Sequence, residues 1–573
     1  MKSWKTVSLY LCAVALMCFV SNARAQAIPK PGEQFAAINN DGMWTWYGEP
    51  KAVYFEGTHR RTYMAWNKST GDKQVGYYDH DTKETLSVIM PKMPYNGDDH
   101  DHPSIIMRPD GKLILFCTGH DGNQVTEYIM KNAEDLSSGW DGPYYPGGNG
   151  GYCYPNAVFL KNEGTKGRFY IFYRDNTKLS AADTVNYCPS FCTSDDWGVT
   201  WSAKKRLYQY VGSAYKPYLK YATDGLSEIY ISIEFQNREG AGAGRPDYFM
   251  KYQNGTFYAA DNHVLATMAT LPVFNTQLDT IFYAYRYGAG FSNTACDIAI
   301  DPNNNPVILY CSFLDTSLYE YWYMRWTGTS WFKRPIVNSG AYRGAQSGFF
   351  AGLTFDHENA NNIYVCRQLL KPGAVAFNLQ DTSVANYKTI KASDWVTLDA
   401  VHELERWTTT DGGITWDTVA ITRGSANKNM LPCVPRNHKP NMQVDVMWLN
   451  GVYTSMAPDN GGYNCAVRMF PLKAGEALPL TAAVPSYQSP IAPRGMVYNN
   501  KGVTFFLTHP ERASCRVYSL NGGLIADLTP LVRSMKAGHA TLPFSSFCGA
   551  SGACVVALDN GTTRITGGVF VTK

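Results

Sequence analysis

Short apolar runs, separated by clusters of glycine, proline, asparagine and aspartate, recur along most of the chain. β-branched and aromatic residues dominate these runs, which is typical of β-strands. Clear examples are residues 52–55, 62–66, 74–78, 168–174, 228–233 and 306–311. Apolar stretches with the helical period of about 3.6 residues are scarce after residue 25. The pattern therefore predicts an all-β fold.

One predicted hairpin brings two histidines together. Residues 104–107 and 112–117 are predicted strands, and the Pro109-Asp-Gly111 between them is a turn sequence. In an antiparallel pair, the residue before the first strand and the residue after the second lie at the same end. His100 and His120 occupy these positions. We therefore expect both imidazoles at one mouth of the fold.

The residues around His100 are acidic. Asp98, Asp99 and Asp101 all lie within two positions of it. A histidine pair beside carboxylates suits either proton transfer near neutral pH or the binding of a metal ion. The alternative is that these are ordinary polar loop residues with no shared role.

Two motifs indicate a repeated architecture. They are Ser194-x-Asp196-x-Gly198-x-Thr200-Trp201 and Thr409-x-Asp411-x-Gly413-x-Thr415-Trp416. Both fit the Asp-box, in which polar side chains stabilise a turn between the outer strands of a blade and a Trp fills the base of the blade. Residues 326–331 are a degenerate version. We interpret Asp196 and Asp411 as structural. About 450 residues of such strands favour a β-propeller, in which four-stranded blades repeat around an axis.

The chain divides into four predicted segments. Residues 1–25 have the basic start, apolar run and Ala23-Arg-Ala25 of a secretory signal peptide. Residues 26–472 are the propeller, and residues 473–493 are a linker rich in Pro and Ala. Residues 494–573 contain short predicted strands, which indicate a small C-terminal β-sandwich. No later stretch approaches the roughly 20 apolar residues of a membrane span, so we expect a secreted or cell-surface protein. We also expect a monomer.

The charge balance argues against a nucleic-acid partner. The chain has 51 Lys and Arg against 48 Asp and Glu, and loss of Lys2, Lys5 and Arg24 with the signal leaves 48 of each. A protein without net charge lacks the basic surface that nucleic-acid binding requires. An acidic ligand would then be recognised by a few local Arg or Lys side chains.

The cysteines do not indicate a structural zinc site. Twelve of the fourteen remain after the signal, and no two C-x-x-C pairs have zinc-ribbon spacing. Export would permit disulfides. Cys188 and Cys192, or Cys548 and Cys554, are close enough in sequence to pair locally, but the connectivity stays open.

Several motifs resemble, in the same order, those of BNR-repeat proteins, a group that includes seven-bladed polysaccharide lyases such as the ulvan lyases. They lie within residues 40–470 and are Trp44–Tyr54, Asp98-Asp-His100, Tyr154-Pro155, Phe172-Tyr-Arg174, Tyr215–Lys220 and Tyr248–Gly255. The resemblance implies a seven-bladed β-propeller with a central site of two His, two Tyr and an Arg. Carried over, these are His100, His120, Tyr154, Arg174 and Tyr218. Residues 517–522 and 551–558 resemble type 9 secretion sorting domains, which implies a secretion-machinery partner.

These residue types suit β-elimination on a uronic acid. Arg174 has the planar fork that neutralises a carboxylate and so acidifies the neighbouring C5 proton. We assign proton transfer to His100 and Tyr218, with Tyr154 able to replace either. His120 would orient a neighbour or bind the sugar. The chemistry requires no cofactor and no metal. Whether the protein binds a structural metal ion stays open.

Some assignments have rivals. Tyr215 competes with Tyr218, and Arg174 could simply pair with Asp175. Where the family often has Gly-His-Pro, this chain has a Gly-rich segment in which Arg238 or Arg245 could reach an acidic polysaccharide substrate, although the segment could equally be mobile. The missing His puts in doubt both a metal ion at that position and the finer substrate specificity.

Two other functions stay open. A glycoside hydrolase of the sialidase or rhamnosidase kind would need an Arg triad with a Tyr-Glu pair, or two carboxylates flanking the bond. No matched motif supplies either set. A non-catalytic carbohydrate-binding propeller would need no His pair. The substrate could be ulvan, another sulfated uronan or a plant glycan that carries glucuronate.

Overall fold

The computed structural model describes most of the chain between residues 36 and 571. The described residues are 36–45, 47–93, 98–177, 187–211, 216–236, 245–284, 294–315, 318–340, 352–370, 400–423, 425–439, 444–453, 463–471, 496–499, 502–507, 510–519, 524–536, 538–543, 552–559 and 564–571. The predicted signal peptide and the linker at residues 473–493 lie outside them.

Sheets of four or more antiparallel strands follow one another along the first 471 residues. Each begins with an innermost strand and continues outward. In chain order the strands of the first half are β1 (Ala36–Asn39); β2 (Ala52–Glu56), β3 (Arg60–Asn67), β4 (Lys73–Asp79) and β5 (Thr85–Ile89) in sheet one; β6 (Ser104–Met107), β7 (Leu113–Cys117), β8 (Thr126–Asn132) and β9 (Asp135–Tyr144) in sheet two; and β10 (Tyr152–Leu160), β11 (Arg168–Asp175), β12 (Cys188–Ser194) and β13 (Lys205–Arg206) in sheet three.

Sheet four is the largest of the series. It contains β15 (Lys216–Thr223), β16 (Glu228–Gln236), β17 (Arg245–Gln253), β18 (Thr256–Tyr258), β19 (Val264–Thr267) and β21 (Thr280–Ala284), while β14 (Tyr208–Gln209) pairs in parallel with β20 (Val273–Phe274). The remaining strands are β22 (Thr294–Ile300), β23 (Pro306–Asp315), β24 (Leu318–Trp326) and β25 (Trp331–Gly340) in sheet five; β26 (Leu353–Phe355), β27 (Asn362–Leu370), β28 (Ala400–Thr408) and β29 (Asp417–Ala420) in sheet six; and β30 (Lys428–Cys433), β31 (Val444–Tyr453) and β32 (Tyr463–Pro471) with β1 in sheet seven.

This arrangement is the predicted seven-bladed β-propeller. The innermost strands β2, β6, β10, β15, β22, β26 and β30 contact one another in that order. Strand β1 pairs with β32, so the N-terminal end of the fold completes the last blade. Backbone hydrogen bonds from Tyr54 to Arg436 (2.8 Å) and from Arg436 to Ala52 (3.0 Å) connect the seventh sheet to the first. The innermost strands therefore surround a common axis.

Both Asp-boxes form the expected turns between the third and fourth strands of a blade. Asp411 accepts hydrogen bonds from Thr409, from the backbone amides of Ile414 and Thr415, and from the Thr415 hydroxyl. Asp196 makes the equivalent contacts with Ser194 and Thr200. Trp201 packs against the neighbouring blade and donates to Glu127 at 2.7 Å. These contacts agree with the predicted structural role of Asp196 and Asp411.

The C-terminal strands form two small sheets. One contains β33 (Met496–Asn499), β34 (Gly502–Leu507) and β37 (Gly538–Pro543), and the other contains β35 (Ser514–Ser519), β36 (Leu524–Asp527), β38 (Gly552–Asp559) and β39 (Arg564–Val571). A short helix α1 (Thr529–Arg533) follows β36. Three-residue 3₁₀ helices occur at Asp99–Asp101, Asn275–Gln277 and Pro510–Arg512. The sheets agree with the predicted β-sandwich.

Within the described residues, no helix combines the length and apolar character needed to cross a membrane.

The local Cys188–Cys192 pairing considered from the sequence does not form. Both residues are buried, and both lie on β12. Four residues along a strand separate two Cα atoms by about 13 Å, whereas a disulfide requires less than about 7 Å. Cys548 is outside the described residues.

Removal of one Asp-box carboxylate tests its structural role. Asp411→Ala should lower the free energy of unfolding of the propeller by about 1–2 kcal/mol, because several turn donors lose their acceptor. Thermal or urea unfolding measures the change. Asp417→Ala is the matched control, since Asp417 is exposed on the next strand. Equal effects of the two substitutions would contradict a special role for the Asp-box.

Truncation tests the proposed domain boundary. Among the described strands, β33–β39 pair only with one another. A chain that ends after residue 480 should therefore keep a folded propeller with its own core. Circular dichroism and thermal unfolding of the truncated chain check this. Insolubility of the truncated chain, with a soluble full-length protein, would show that the boundary is wrong.

Candidate active site

The hairpin places both histidines at one end of the propeller axis. Asp98 caps the 3₁₀ helix Asp99–Asp101 immediately before β6, and its side chain accepts a hydrogen bond from the His100 amide at 2.9 Å. His120 follows β7 by three residues. The turn between these strands has Gly111 at φ +80°, a conformation that suits glycine. The predicted juxtaposition of His100 and His120 is therefore present.

The two imidazoles are stacked and share a carboxylate. Their ring centroids lie 3.9 Å apart and their planes are within 5° of parallel. Asp98 contacts the Nδ1 atoms of both rings, at 2.6 Å for His100 and 3.2 Å for His120. Asp99 also contacts His100 Nδ1 and accepts a hydrogen bond from the Tyr453 hydroxyl. These contacts fix the position of the stack.

Tyr154 lies in an irregular part of β10. The register between β10 and β11 shifts between Cys153 and Asn156, and Tyr154 has φ +58°, which is unusual for a bulky residue. Its ring lies 5.3 Å from that of His100 and 5.6 Å from that of Tyr218 on β15. Backbone outliers of this kind cluster at functional sites. The bulge thus carries Tyr154 between His100 and Tyr218.

Arg174 completes the group from the neighbouring strand β11. Its guanidinium carbon lies 4.8 Å from the ring centroid of Tyr154, 5.1 Å from that of Tyr218 and 5.0 Å from that of Tyr187. Nη2 donates to Asp121 at 3.2 Å and to the Cys153 sulfur at 3.4 Å. Nε is buried and has no acceptor among the described residues. The Nε–H group of the Arg174 guanidinium therefore remains available to a ligand.

The acidic surroundings keep His100 protonated. Burial alone would lower the pKa of His100, but Asp99 and Asp98 outweigh burial and raise it to about 9. The pKa of Asp98 is lowered, because its contacts with His100 and His120 outweigh the opposite effect of burial. At neutral pH this pair is an imidazolium beside a carboxylate.

Burial keeps the two phenols neutral. It raises the pKa of Tyr154 well above the ordinary value and also raises that of Tyr218, while the positive charge of Arg174 opposes the rise in both. His120 differs from its neighbours in exposure. About 34% of its side chain is accessible, whereas His100, Tyr154, Tyr218 and Arg174 are buried. His120 is thus the ring of the cluster that meets solvent.

The other predicted binding residues lie at or beyond the edge of what the structure describes. Tyr215 and Arg238 lie outside the described residues. Arg245 is the first residue of β17. The assignment of these three residues to substrate binding stays a prediction.

The structure adds residues that the sequence did not single out. Tyr47 packs against the rings of Tyr154 and Tyr218, with centroids 5.0 and 4.4 Å apart, and donates to Glu234 at 2.9 Å. Tyr453 supports Asp99 from a strand more than 350 positions away. No local pattern marks such a partner.

A metal ion would have to compete with existing contacts. Asp98, His100 and His120 each offer a ligand atom, and these atoms lie within 4.8 Å of one another. Asp98 already bridges the two Nδ1 atoms, so a metal ion at this position would replace those contacts.

Comparisons with known proteins agree with the fold. Residues 61–339 match the model of the BNR repeat-containing family. A solved structure of a PL25 ulvan lyase bound to -[GlcA(1-4)Rha3S]- superposes with a TM-score of 0.53 at 15% identity, covering 78% of this chain and 96% of that chain. A second PL25 ulvan lyase structure superposes with a TM-score of 0.52 at 15% identity, covering 78% of this chain and 96% of that chain. Comparison with curated proteins finds no match.

The protonation of His100 predicts a pH-dependent stability. Its pKa is about 9 in the folded protein, against about 6.5 in an unfolded chain. The stability from its ion contacts is therefore complete below about pH 6.5 and is lost as the pH rises through about 9. Thermal midpoints measured across this window should fall more for the wild type than for His100→Gln.

A second substitution controls for histidine content. His263 contacts Asp261, but both side chains are exposed, and such a pair contributes little. His263→Gln should keep the pH dependence of the wild type. Parallel curves for the wild type and His100→Gln would show that His100 is not held protonated.

Proposed function

We propose that the protein is a polysaccharide lyase that cleaves a uronic-acid-containing polymer by β-elimination. The observation that carries this proposal is the stacked His100–His120 pair beside the Tyr154, Tyr218 and Arg174 group. The cluster combines two cations with two phenols, the groups that an elimination next to a carboxylate requires. The fold shared with the ulvan lyase structures supports the same conclusion.

The cations would neutralise the substrate carboxylate. Arg174 retains an uncommitted Nε, and the fork geometry of a guanidinium suits a carboxylate. Neutralisation stabilises the carbanion-like transition state, in which negative charge spreads from C5 into the carboxylate. The partly exposed His120 would bind the sugar and cover His100.

The proton transfers follow from the protonation states. His100 carries a proton at neutral pH and would donate it to the leaving oxygen at C4. Tyr218 would remove the C5 proton through the small fraction of its phenolate form, since burial raises its pKa and Arg174 only partly offsets that rise. Tyr154 lies between them and can replace either partner. No step requires a cofactor.

Four carboxylates near the cluster are already engaged, which disfavours a hydrolase that would use them. A glycosidase needs two carboxyl groups that flank the bond. Asp98 is bonded to both imidazoles, Asp99 to His100 and Tyr453, Asp121 to Arg174, and Glu234 to Tyr47. None of these four is poised as a nucleophile or general acid.

The substrate class and the location complete the proposal. An ulvan-like sulfated uronan is one candidate, since one fold relative is bound to -[GlcA(1-4)Rha3S]-. We further propose that the protein acts outside the cell as a monomer, after removal of residues 1–25. Its C-terminal β-sandwich would serve in sorting or surface attachment.

Substitutions at the cluster test the chemistry. Arg174→Lys keeps a charge but loses the fork, so kcat should fall by about 10²-fold with a smaller change in KM. His100→Ala removes the proposed acid and should cost about 10²–10⁴ in rate. Initial rates on uronate polymers are followed by the ultraviolet absorbance of unsaturated ends. Exposed-site controls, Arg60→Lys and His263→Ala, should retain activity.

Two results would contradict these roles. His100→Ala with full activity would remove His100 from the reaction. Reducing ends that appear without ultraviolet absorbance would indicate hydrolysis in place of elimination.

The proposed roles also predict the pH profile. Activity should rise up to about pH 9 as the phenolate fraction grows, should level off as His100 loses its proton, and should fall only above the pKa of the Tyr218 phenol, which is raised from its ordinary value. The optimum should therefore lie on the alkaline side of neutrality. A profile of kcat/KM measures both limbs. A maximum below about pH 6.5, where an unperturbed His is charged, would contradict a base of high pKa.

A further inference from the structure

A cavity of about 410 Å³ occupies the end of the propeller axis opposite to the His–Tyr–Arg cluster. The cluster lies where the innermost strands begin, whereas residues from the later parts of the same strands line the cavity, including Met107, Val158, Thr223 and Ile300. Its volume falls in the range of about 300–1,000 Å³ that is common for small-molecule sites. The proposed lyase reaction does not use it.

The acidic groups that line the cavity already have partners. Glu49 pairs with Lys51 and lies 3.8 Å from Lys220. Asp224 accepts hydrogen bonds from three backbone amides of its own turn. Glu358 accepts from the Asn437 amide at 2.7 Å. Glu49 is therefore paired with cations, and Asp224 and Glu358 already accept hydrogen bonds from the backbone.

Arg436 differs from these acidic groups. Its backbone joins the seventh sheet to the first, and its side chain is half-buried at the cavity wall. The described residues provide its guanidinium with no hydrogen bond or ion pair. It lies close enough to Glu49 and Lys220 to contribute to lowering the pKa of each. An arginine fork thus remains available beside the cavity.

Glu49, which lines the cavity, is surrounded by more positive than negative charge. Three cations, Lys51, Lys220 and Arg436, surround Glu49, and the next carboxylate, Asp297, is hydrogen-bonded to His357, Thr354 and a backbone amide. Burial, together with Lys51 and Arg436, lowers the pKa of Lys220 to about 8 against the opposing effect of Glu49. A bound anion would relieve this excess.

A second uncommitted group favours a ligand with hydroxyls as well as a charge. Asn156 lies between this cavity and the small pocket beside Tyr154 and Tyr218, and it is 3% exposed. Its Nδ2 donates to the backbone oxygens of Tyr47 and Tyr154. Its Oδ1 is buried with no hydrogen-bond partner in the described part of the chain. Such an acceptor is costly to leave unsatisfied.

We propose that this axial cavity is a second binding site, separate from the lyase site, for a small carboxylate-bearing molecule held by Arg436. The guanidinium would bind the carboxylate through two hydrogen bonds. Asn156 Oδ1 would accept from a hydroxyl of the same ligand. A monosaccharide acid fits both the volume and these groups.

A matched pair of probes tests the proposal. D-glucuronate and D-glucose have similar size and differ in the carboxylate. Each is titrated by calorimetry into Arg174→Gln, which weakens carboxylate binding at the lyase site, and into the double variant Arg174→Gln/Arg436→Gln. Glucuronate should bind the first protein at least about tenfold more tightly than the second, and glucose should bind neither.

Three controls keep the test decisive. Arg512→Gln removes an exposed charge from the C-terminal sheets and should not weaken glucuronate binding in the Arg174→Gln background. Arg436→Lys keeps the charge without the fork, so it should bind with intermediate affinity, and it replaces Arg436→Gln if that variant does not fold. Inorganic sulfate should compete weakly.

Other outcomes would overturn the proposal. Equal glucuronate affinities with and without Arg436, or no binding to Arg174→Gln, would show that the cavity is not such a site. Sulfate binding as tight as that of glucuronate would show that the cavity takes any anion. These measurements do not involve turnover, so their failure would leave the lyase proposal intact.

Discussion

The shared carboxylate of Asp98 is the contact on which the candidate site depends. It holds the Nδ1 atoms of two stacked imidazoles, one from before the first strand of a hairpin and one from after the second. Two rings this close would repel each other if both were charged, and the carboxylates of Asp98 and Asp99 offset that cost. The protonated state of His100 follows from this arrangement, and the proposed division into an acid and a phenolic base rests on it.

The propeller turns a local hairpin into a composite site. Because each innermost strand begins at the same end of the axis, Tyr154, Tyr218 and the His pair come from three blades yet lie within one group. Arg174 enters from the second strand of its blade and is enclosed by aromatic rings. The axis itself is lined with buried charges such as Glu49, Lys51 and Lys220. Burial at the centre of the ring therefore sets the protonation of the groups along it.

Local patterns predicted the parts of the structure that local chemistry determines. The hairpin at residues 104–117 and both Asp-boxes follow from turn residues and short apolar runs, which do not depend on distant contacts. The Asp99–Tyr453 and Tyr47–Glu234 contacts could not be predicted, because each joins residues separated by much of the chain. The left-handed backbone of Tyr154 likewise depends on a register shift with β11. The protonation of His100 required burial and partner distances that sequence spacing does not contain.

The mass of the products tests the central claim most directly. Purified protein is incubated with a uronate polymer until oligosaccharides appear, and their masses are read without further treatment. Elimination creates a double bond without adding water, so every new non-reducing end should belong to a product lighter by one water molecule than the saturated oligosaccharide. Products of the saturated mass alone would contradict the elimination chemistry assigned to His100, Tyr218 and Arg174.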